Sequence, residues 1–233
     1  MAVTQSAGLV RPAKQARSRA TRDRLLETGR ELLARGAFEE THIADLVRNA
    51  GCSVGAFYQR FPDKDAFLTV LIETAVAEII IDAKQFAADE SRSCAPIAET
   101  LTNCMRYWIN IFKKYQGMYQ TVLKQSLLAS DNWAPLRQLG PLALKYFIVM
   151  LAEKCDQRGS VSFNYRVAAG FQIVFGAMLN ATMHRTVLLN LESEELVAWA
   201  SETLRHCILD ELPAGLLEHA IGHEFLSSKD FGQ

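Results

Sequence analysis

Apolar residues recur with the period of an α-helix along almost the whole chain. Leu25, Leu26, Leu32 and Leu33 fall on one side of a helix that ends at Gly36, a residue suited to a helix C-terminus. No segment alternates apolar and polar residues convincingly over the length of a strand. The periodicity therefore predicts an all-α fold.

The breaks between the periodic segments predict two short helices between longer ones. After the first helix, we expect helices over 41–49, from Ser53, from Asp63 to about 88, and over 97–114, 117–129, 134–157, 164–187 and 192–211, with a tail from Pro213. Short helices followed by long ones indicate a small N-terminal module on a larger bundle. We place a basic arm at 1–18, the module at 19–66 and the bundle at 67–233.

Charge is distributed unevenly along the 233 residues, although the net charge is only -1. Up to Lys64 there are 11 Lys and Arg against 7 Asp and Glu, so the remainder carries -5. The excess is densest in the arm, at Arg11, Lys14, Arg17, Arg19, Arg22 and Arg24. A basic front on an acidic body points to an anionic partner at the N-terminus. The arm itself fits either a solubilising tail or an extension that follows DNA.

The cysteines and the apolar runs indicate the cellular compartment in which the protein is found. Five cysteines, odd in number and without a C-x-x-C pair, indicate neither a disulfide framework nor a zinc site. The N-terminus lacks the apolar segment of a signal peptide, and the longest apolar run, 168–181, is too short to span a membrane. We therefore expect a cytoplasmic protein with no membrane partner.

The segment GCSVGAFYQRF, residues 51–61, has the composition of the turn and second helix of a helix-turn-helix. Gly51 follows the first short helix where a left-handed turn residue is required. Ser53 is a good N-cap for the second helix. Cys52 lies between them, either as a small core side chain or, as the alternative, as a redox-sensitive thiol.

Winding the second helix at about 100° per residue sorts its side chains. Phe57 and Phe61 share the face that packs inward, and Gly55 and Gln59 lie opposite them. Val54 and Ala56 fit thymine methyl groups and Gln59 fits an adenine edge. The remaining candidates for contacts with DNA are Tyr58, through its hydroxyl to phosphate, and Arg60, to phosphate or guanine.

Residues 24–68 resemble the DNA-binding region of the tetracycline-repressor (TetR) family of bacterial regulators. The matching segments are RLLETGRELLARGAF, THIADLVRNAGCSVGAFYQRF and PDKDAFL. The resemblance implies a helix-turn-helix domain of three helices, a C-terminal helical domain that binds an inducer and dimerises, and a homodimer on a palindromic operator in double-stranded DNA.

Several positions inherit roles from this resemblance. Thr41 stands where the family caps its second helix and contacts phosphate, and Lys64 matches its phosphate-binding lysine. Tyr58 matches its phosphate-binding tyrosine. The start of the recognition helix corresponds to Ser53, Val54, Gly55 and Ala56. The chain departs from the family at Gly29, Cys52, Gln59 and Arg60, and the last two put the operator sequence in doubt.

Aromatic residues at helical spacing mark a candidate ligand pocket in the body. The candidates are Asn103, Tyr107, Trp108, Tyr115, Tyr119, Phe147 and Met150. A mostly apolar pocket with a few polar groups would accept an apolar or aromatic small-molecule effector, and the family's inducer sites lie in this domain. Ordinary core packing is the alternative.

The last two long helices carry the candidate dimer surface. Small residues between 168 and 181 permit close helix approach, and the candidate anchors are Phe171, Phe175, Leu196 and Trp199. Burial inside one monomer is the alternative.

The sequence therefore predicts a transcriptional regulator, a repressor released from its operator by a ligand, with no cofactor. A DNA-binding protein without small-molecule control is one alternative, and a helical enzyme or carrier is another. The sequence has no nucleophile elbow, and the pair His219 and His223 lacks the acid of a zinc-protease motif, so we expect neither catalysis nor a metal.

Overall fold

The computed structural model describes residues 10–89, 95–126, 134–184 and 188–209. Within these ranges the chain forms helices and no strand, which confirms the all-α prediction. The helices are α1 (Val10–Ala34), α2 (Ile43–Asn49), α3 (Val54–Tyr58), α4 (Lys64–Ala87), α5 (Ile97–Lys114), α6 (Gln116–Ser126), α7 (Ala134–Lys154), α8 (Val161–Met183) and α9 (Glu194–Leu209).

Two helices of the N-terminal module end in the same glycine-dependent motif. Gly36 has φ +67° after α1, and Gly51 has φ +62° after α2. In both cases the residue after the glycine donates its N–H five residues back, from Ala37 to Leu32 and from Cys52 to Val47. These are Schellman caps, and they satisfy carbonyl groups that the helix end leaves free.

The module is held together by a cluster of phenylalanine rings. Phe38, Phe57, Phe61 and Phe67 are buried, and the Phe61 and Phe67 rings lie 4.8 Å apart between centroids. Phe67 belongs to α4, whose first turn is capped by Asp63 through a 2.7 Å hydrogen bond from the N–H of Ala66. The long helix α4 therefore begins inside the module and continues into the body.

The body is a bundle in which α4 packs on α7, and α9 packs on both α5 and α8. A single hydrophobic core runs from Leu25 in α1 to Ile208 in α9. No helix among the described residues is long and apolar enough to cross a membrane.

The module joins the body at two tight contacts. A Cβ at Gly29 in α1 would lie 2.7 Å from Leu71 Cδ1 of α4. A Cβ at Gly117 in α6 would lie 1.7 Å from the carbonyl oxygen of Leu33, so the start of α6 rests directly on the end of α1. The C-terminal half of the module's first helix is thus fixed by α4 and by α6.

Helix α1 differs from the predicted division of the N-terminus. It is continuous from Val10 to Ala34, so the boundary at residue 18 falls inside a helix. The basic arm and the first helix of the module share one backbone element over the described residues.

Candidate nucleic-acid interface

The recognition helix α3 is built on the predicted cap. Ser53 has extended backbone and its Oγ accepts a 3.2 Å hydrogen bond from the N–H of Ala56. Together with the Schellman cap at Gly51, this fixes the angle between α2 and α3 without a long loop. The turn is therefore rigid, as its composition predicts.

The faces of α3 are divided as the helical winding predicts. Phe57 and Phe61 are buried, whereas Val54 is 44% exposed and Tyr58 is 53% exposed. Gly55 and Gln59 are exposed, and Ala56 is half-buried. The outer face therefore presents the two methyl groups of Val54, the bare backbone of Gly55, the phenol of Tyr58 and the amide of Gln59. Together these groups suit contact with a DNA groove.

Lys64 lies at the start of α4 beside this face. Its Nζ donates a 2.7 Å hydrogen bond to the carbonyl oxygen of Glu39 and lies 5.0 Å from the centroid of the Phe38 ring. Desolvation lowers the pKa of Lys64, and the nearby carboxylates of Glu39 and Asp65 oppose this effect. The ammonium keeps donors for a phosphate and also closes the loop between α1 and α2.

Thr41 does not cap the second helix, and that expectation is wrong. The N-cap of α2 is His42, whose side chain makes no capping hydrogen bond. The Thr41 hydroxyl instead donates a 2.7 Å hydrogen bond to the carbonyl oxygen of Ala37. The loop after α1 is compact enough to offer that acceptor, and a phosphate contact through this hydroxyl requires a change of rotamer.

Arg60 is engaged within the protein rather than free on the outer face. Its guanidinium donates to the carbonyl oxygen of Ala56 and to both the hydroxyl and the carbonyl oxygen of Ser18, at 3.0 and 3.3 Å. The partner lies in α1, 42 residues away along the chain. Sequence reasoning missed this contact because a separate arm gave no reason to place residue 18 beside α3.

A family comparison covers this part of the chain. Residues 25–71 match the model of bacterial regulatory proteins of the tetR family. These residues form a DNA-binding domain of the tetR-family type. The matched model describes regulatory proteins, and the curated relative reported next is an HTH-type transcriptional regulator.

Similar proteins align with most of the length of this chain. The uncharacterized HTH-type transcriptional regulator YerO of Bacillus subtilis is 24% identical over 210 residues, which span 86% of this chain and 67% of YerO. A TetR-family regulator of Mesorhizobium loti has the same fold with a TM-score of 0.66 and 14% identity, covering 82% of this chain and 96% of that one. The regulator FadR of Bacillus subtilis, solved in complex with stearoyl-CoA, gives a TM-score of 0.55 and 14% identity over 81% of this chain and 98% of FadR.

In the body of the chain, three of the seven candidate pocket residues, Tyr107, Trp108 and Phe147, meet in one group of aromatic rings. We call it the aromatic cluster, and its rings are Phe86, Tyr107, Trp108, Phe147, Phe171 and Phe175. Tyr119 stacks on Phe112 at its edge, with ring centroids 4.7 Å apart. Asn103 and Met150 are half-buried on α5 and α7 and are not among these ring contacts.

Two polar atoms in the aromatic cluster are buried without a partner among the described residues. They are the hydroxyl of Tyr107 and the indole N–H of Trp108. Burial, followed by the charge of Asp82, raises the pKa of Tyr107 far above its usual value, so its hydroxyl stays a neutral donor. A buried donor without an acceptor costs free energy, which makes this pair the most informative polar feature of the cluster.

Tyr115 lies apart from the aromatic cluster, at the junction of module and body. Its hydroxyl donates a 3.1 Å hydrogen bond to Glu78 of α4, and Glu78 also pairs with Arg30 of α1. These side chains line a cleft of about 350 Å³ between α1, α4 and the start of α6. Burial raises the pKa of Tyr115. The pKa of Lys114 is also raised, because Lys114 forms a hydrogen bond with Tyr115.

The candidate dimer residues divide between core and surface. Phe171 is 1% exposed and Leu196 is 0% exposed, so neither is an anchor on the surface, and that expectation is wrong for both. Phe175 is half-buried within the aromatic cluster, and Trp199 is 37% exposed. Close approach at Gly170 is also internal, since a Cβ there would lie 2.8 Å from Leu204 of α9.

Ile173 of α8 is an apolar surface residue that sequence reasoning missed, with 52% of its area exposed. The described residues contain no group of three or more potential metal ligands. His219 and His223 lie outside the residues that the structure describes.

Proposed function

We propose that this regulator is a homodimeric repressor that binds a palindromic operator in double-stranded DNA and is released by a small molecule. The observation that carries the proposal is the capped, rigid α3, with Phe57 buried and Val54, Gly55, Tyr58 and Gln59 exposed together. Its site of action is then the cytoplasm, where the DNA lies.

The roles on α3 follow from side-chain chemistry. Val54 and Ala56 contact thymine methyl groups, and Gln59 pairs with an adenine edge. Gly55 lets the backbone come close to the duplex because no side chain stands in between. Tyr58 and Lys64 donate to phosphates on either side, with Ser53 at the helix start and Thr41 after a rotamer change.

The proposed dimer surface is the outer face of α8 and α9. Ile173 and Trp199 are its anchors, and the exposed small residues Gly176 and Ala198 lie beside them along the same helices. Apolar side chains that a monomer leaves exposed on neighbouring helices are typical of a four-helix dimer interface. Two copies related by a twofold axis then present two recognition helices to one palindrome.

The proposed effector binds at the aromatic cluster. Stacking surfaces surround Tyr107 and Trp108, and both of their buried polar atoms are hydrogen-bond donors. The matching ligand is an apolar or aromatic molecule that carries a hydrogen-bond acceptor such as a carbonyl oxygen. That FadR was solved with stearoyl-CoA supports ligand control in a protein of this fold.

Helix α4 is the proposed connection between effector and operator. At one end Phe67 packs in the phenylalanine cluster of the module, and at the other Phe86 lies 4.5 Å from Tyr107 between ring centroids. Between them, Glu78 binds Arg30 of α1 and Tyr115. A ligand that shifts the aromatic cluster moves α4, and α4 moves the module.

Release from the operator then requires only that the ligand bind more tightly to a dimer whose recognition helices have the wrong spacing for the operator. In a dimer, tilting α4 changes the distance between the two recognition helices, which must match half-sites about one helical turn apart or a multiple of it. A ligand with higher affinity for the mismatched spacing lowers operator affinity by the same factor.

The experiment is selection of bound fragments from random DNA, followed by titration of the selected fragment with candidate effectors. The expected result is an inverted repeat whose binding weakens in the presence of one ligand class, tested with stearoyl-CoA, a free fatty acid and 2-naphthol. Tyr107→Phe should weaken that response, and Tyr146→Phe, on α7, is the matched control. Recovery of a palindrome whose binding no ligand alters would leave a DNA-binding protein without small-molecule control.

A further inference from the structure

The N-terminal half of α1 extends beyond the hydrophobic core. From residue 16 to residue 24 no side chain is buried, and Leu25 is the first core residue of the helix. The first turn has no acidic residue, although the segment is rich in positive charges that oppose the helix dipole. Packing within the monomer therefore does not explain why this segment is helical.

Its arginines also differ from the others in the chain. Arg17, Arg19, Arg22 and Arg24 are exposed, and none has a side-chain partner among the described residues. Every other arginine whose side chain the structure describes is engaged: Arg30, Arg35, Arg48, Arg60, Arg106, Arg137, Arg158, Arg166 and Arg205. Four unneutralised guanidinium groups within eight residues favour an anionic partner.

Arg60 fixes the direction of this extension. Arg60 lies just after α3. Its guanidinium donates hydrogen bonds to the hydroxyl and the carbonyl oxygen of Ser18, and also to the carbonyl oxygen of Ala56. Residue 18 is therefore held against the edge of the recognition helix formed by Ala56 and Arg60. The four arginines lie within two turns of that point.

We propose that the N-terminal half of α1 is a second DNA-contacting surface. Its arginines bind the sugar-phosphate backbone beside the base pairs that α3 contacts, and Arg60 is the positioning residue that holds it there. The inference rests on DNA binding by the helix-turn-helix and adds a surface to it. Arginine suits this role because its planar guanidinium binds phosphate with two parallel hydrogen bonds.

The winding of α1 limits how many contacts form at once. At 100° per residue, Arg17 and Arg24 lie on one side of the helix, and Arg19 and Arg22 lie on another. A duplex that meets one side is contacted by one pair. Two phosphate contacts per protomer are therefore expected.

The test compares three double variants in DNA titrations over a series of salt concentrations. Arg17→Gln with Arg24→Gln, and Arg19→Gln with Arg22→Gln, each remove two charges from the extension. Arg35→Gln with Arg158→Gln removes two exposed arginines elsewhere and is the control. One of the first two should reduce the magnitude of the slope of log affinity against log salt by about 1.8 per protomer, and weaken binding at about 0.15 M salt roughly thirtyfold per protomer.

Equal slopes in all three double variants would overturn the proposal. The failure of the helix-turn-helix assignment looks different, because the unaltered protein would then select no sequence at all. Loss of sequence-specific binding and loss of the flanking contacts are thus separate outcomes.

Arg60→Gln tests the positioning role. A residue that holds the extension should, when replaced, lower the salt slope and remove hydroxyl-radical protection of phosphates outside the half-site, while the selected base sequence stays the same. A changed base preference in the random-DNA selection would instead mean that Arg60 contacts a base, and unchanged flanking protection would mean that it positions nothing.

Discussion

Gly29 and Gly55 lack a side chain for different reasons, so substituting each by alanine tests a different part of the structure. Gly29 faces Leu71 and Phe67, where an added Cβ would lie 2.7 to 2.9 Å from carbon atoms of α4. Gly55 faces outward, and the nearest atom to its added Cβ is the Oγ of its neighbour Ser53 at 4.0 Å. The first is a packing requirement of the monomer and the second belongs to the outer face.

Gly29→Ala should lower the free energy of unfolding by about 1–3 kcal/mol, because the methyl group overpacks the contact between α1 and α4. Chemical denaturation measures this. Gly140→Ala is the control: it lies in α7 with nothing beyond its chain neighbours within 4 Å of the added Cβ, and it should change the free energy of unfolding by less than about 1 kcal/mol, since the only crowding comes from the ring of Pro141. Equal effects of the two substitutions would contradict the packing described at Gly29.

Gly55→Ala should leave the fold at least as stable while weakening DNA binding about tenfold or more, since the methyl group occupies space that the duplex needs. Thermal unfolding and operator titration together measure the two effects. If affinity is unchanged, the backbone of α3 does not approach the DNA closely at this point.

Sequence reasoning at the residue scale succeeded where local geometry decides. The cap at Ser53 and the inward positions of Phe57 and Phe61 follow from helical winding alone. It was wrong for Thr41, because the acceptor of its hydroxyl depends on how the loop from Ala37 folds back. It missed the bond of Arg60 to Ser18, which joins residues far apart in sequence.

At the scale of elements, α1 is held between the recognition helix and the body. Its N-terminal half is joined to the end of α3 by the hydrogen bond from Arg60 to Ser18. At its C-terminal end, the carbonyl group of Leu33 packs against Gly117 at the start of α6. Helix ends and most breaks were predictable from Gly and Pro positions. The contact of α6 with α1 was not, because no local pattern encodes which distant helix will lie against a glycine.

Gly117→Ala should therefore separate α6 from α1, since its Cβ would meet backbone that cannot rotate away. We expect a loss of stability of about 3 kcal/mol or more, and weaker operator binding without any ligand. Denaturation and DNA titration measure both. A variant with normal stability and affinity would show that α6 does not restrain the module.

At the scale of the whole molecule, the exposure of each apolar side chain on α8 and α9 determines whether it belongs to the core of the monomer or is available for an interface. Helical periodicity groups Phe171, Phe175, Leu196 and Trp199 alike as apolar, but Phe171 and Leu196 are buried inside the bundle, with the Phe171 ring against Phe147 of α7. The sequence could predict that these helices pair. It could not predict which apolar positions the pairing leaves over, because that depends on the rotation of each helix in the bundle.

Ile173→Glu should convert the proposed dimer to a monomer, because a charge would be buried at the centre of an apolar interface. Sedimentation velocity measures the mass. Ile81→Glu is the control, an isoleucine of α4 that is 56% exposed and lies outside the proposed surface. A dimer that survives Ile173→Glu would place the interface elsewhere.

The most direct test of the central claim, that the outer face of α3 binds operator DNA, is titration of the selected fragment with the Tyr58→Phe variant. The Tyr58 hydroxyl is exposed, so its removal should leave the unfolding temperature unchanged while weakening operator binding roughly ten- to hundredfold. Tyr146→Phe should leave the affinity unchanged. Wild-type affinity in the Tyr58→Phe protein would contradict the assignment of this face to DNA.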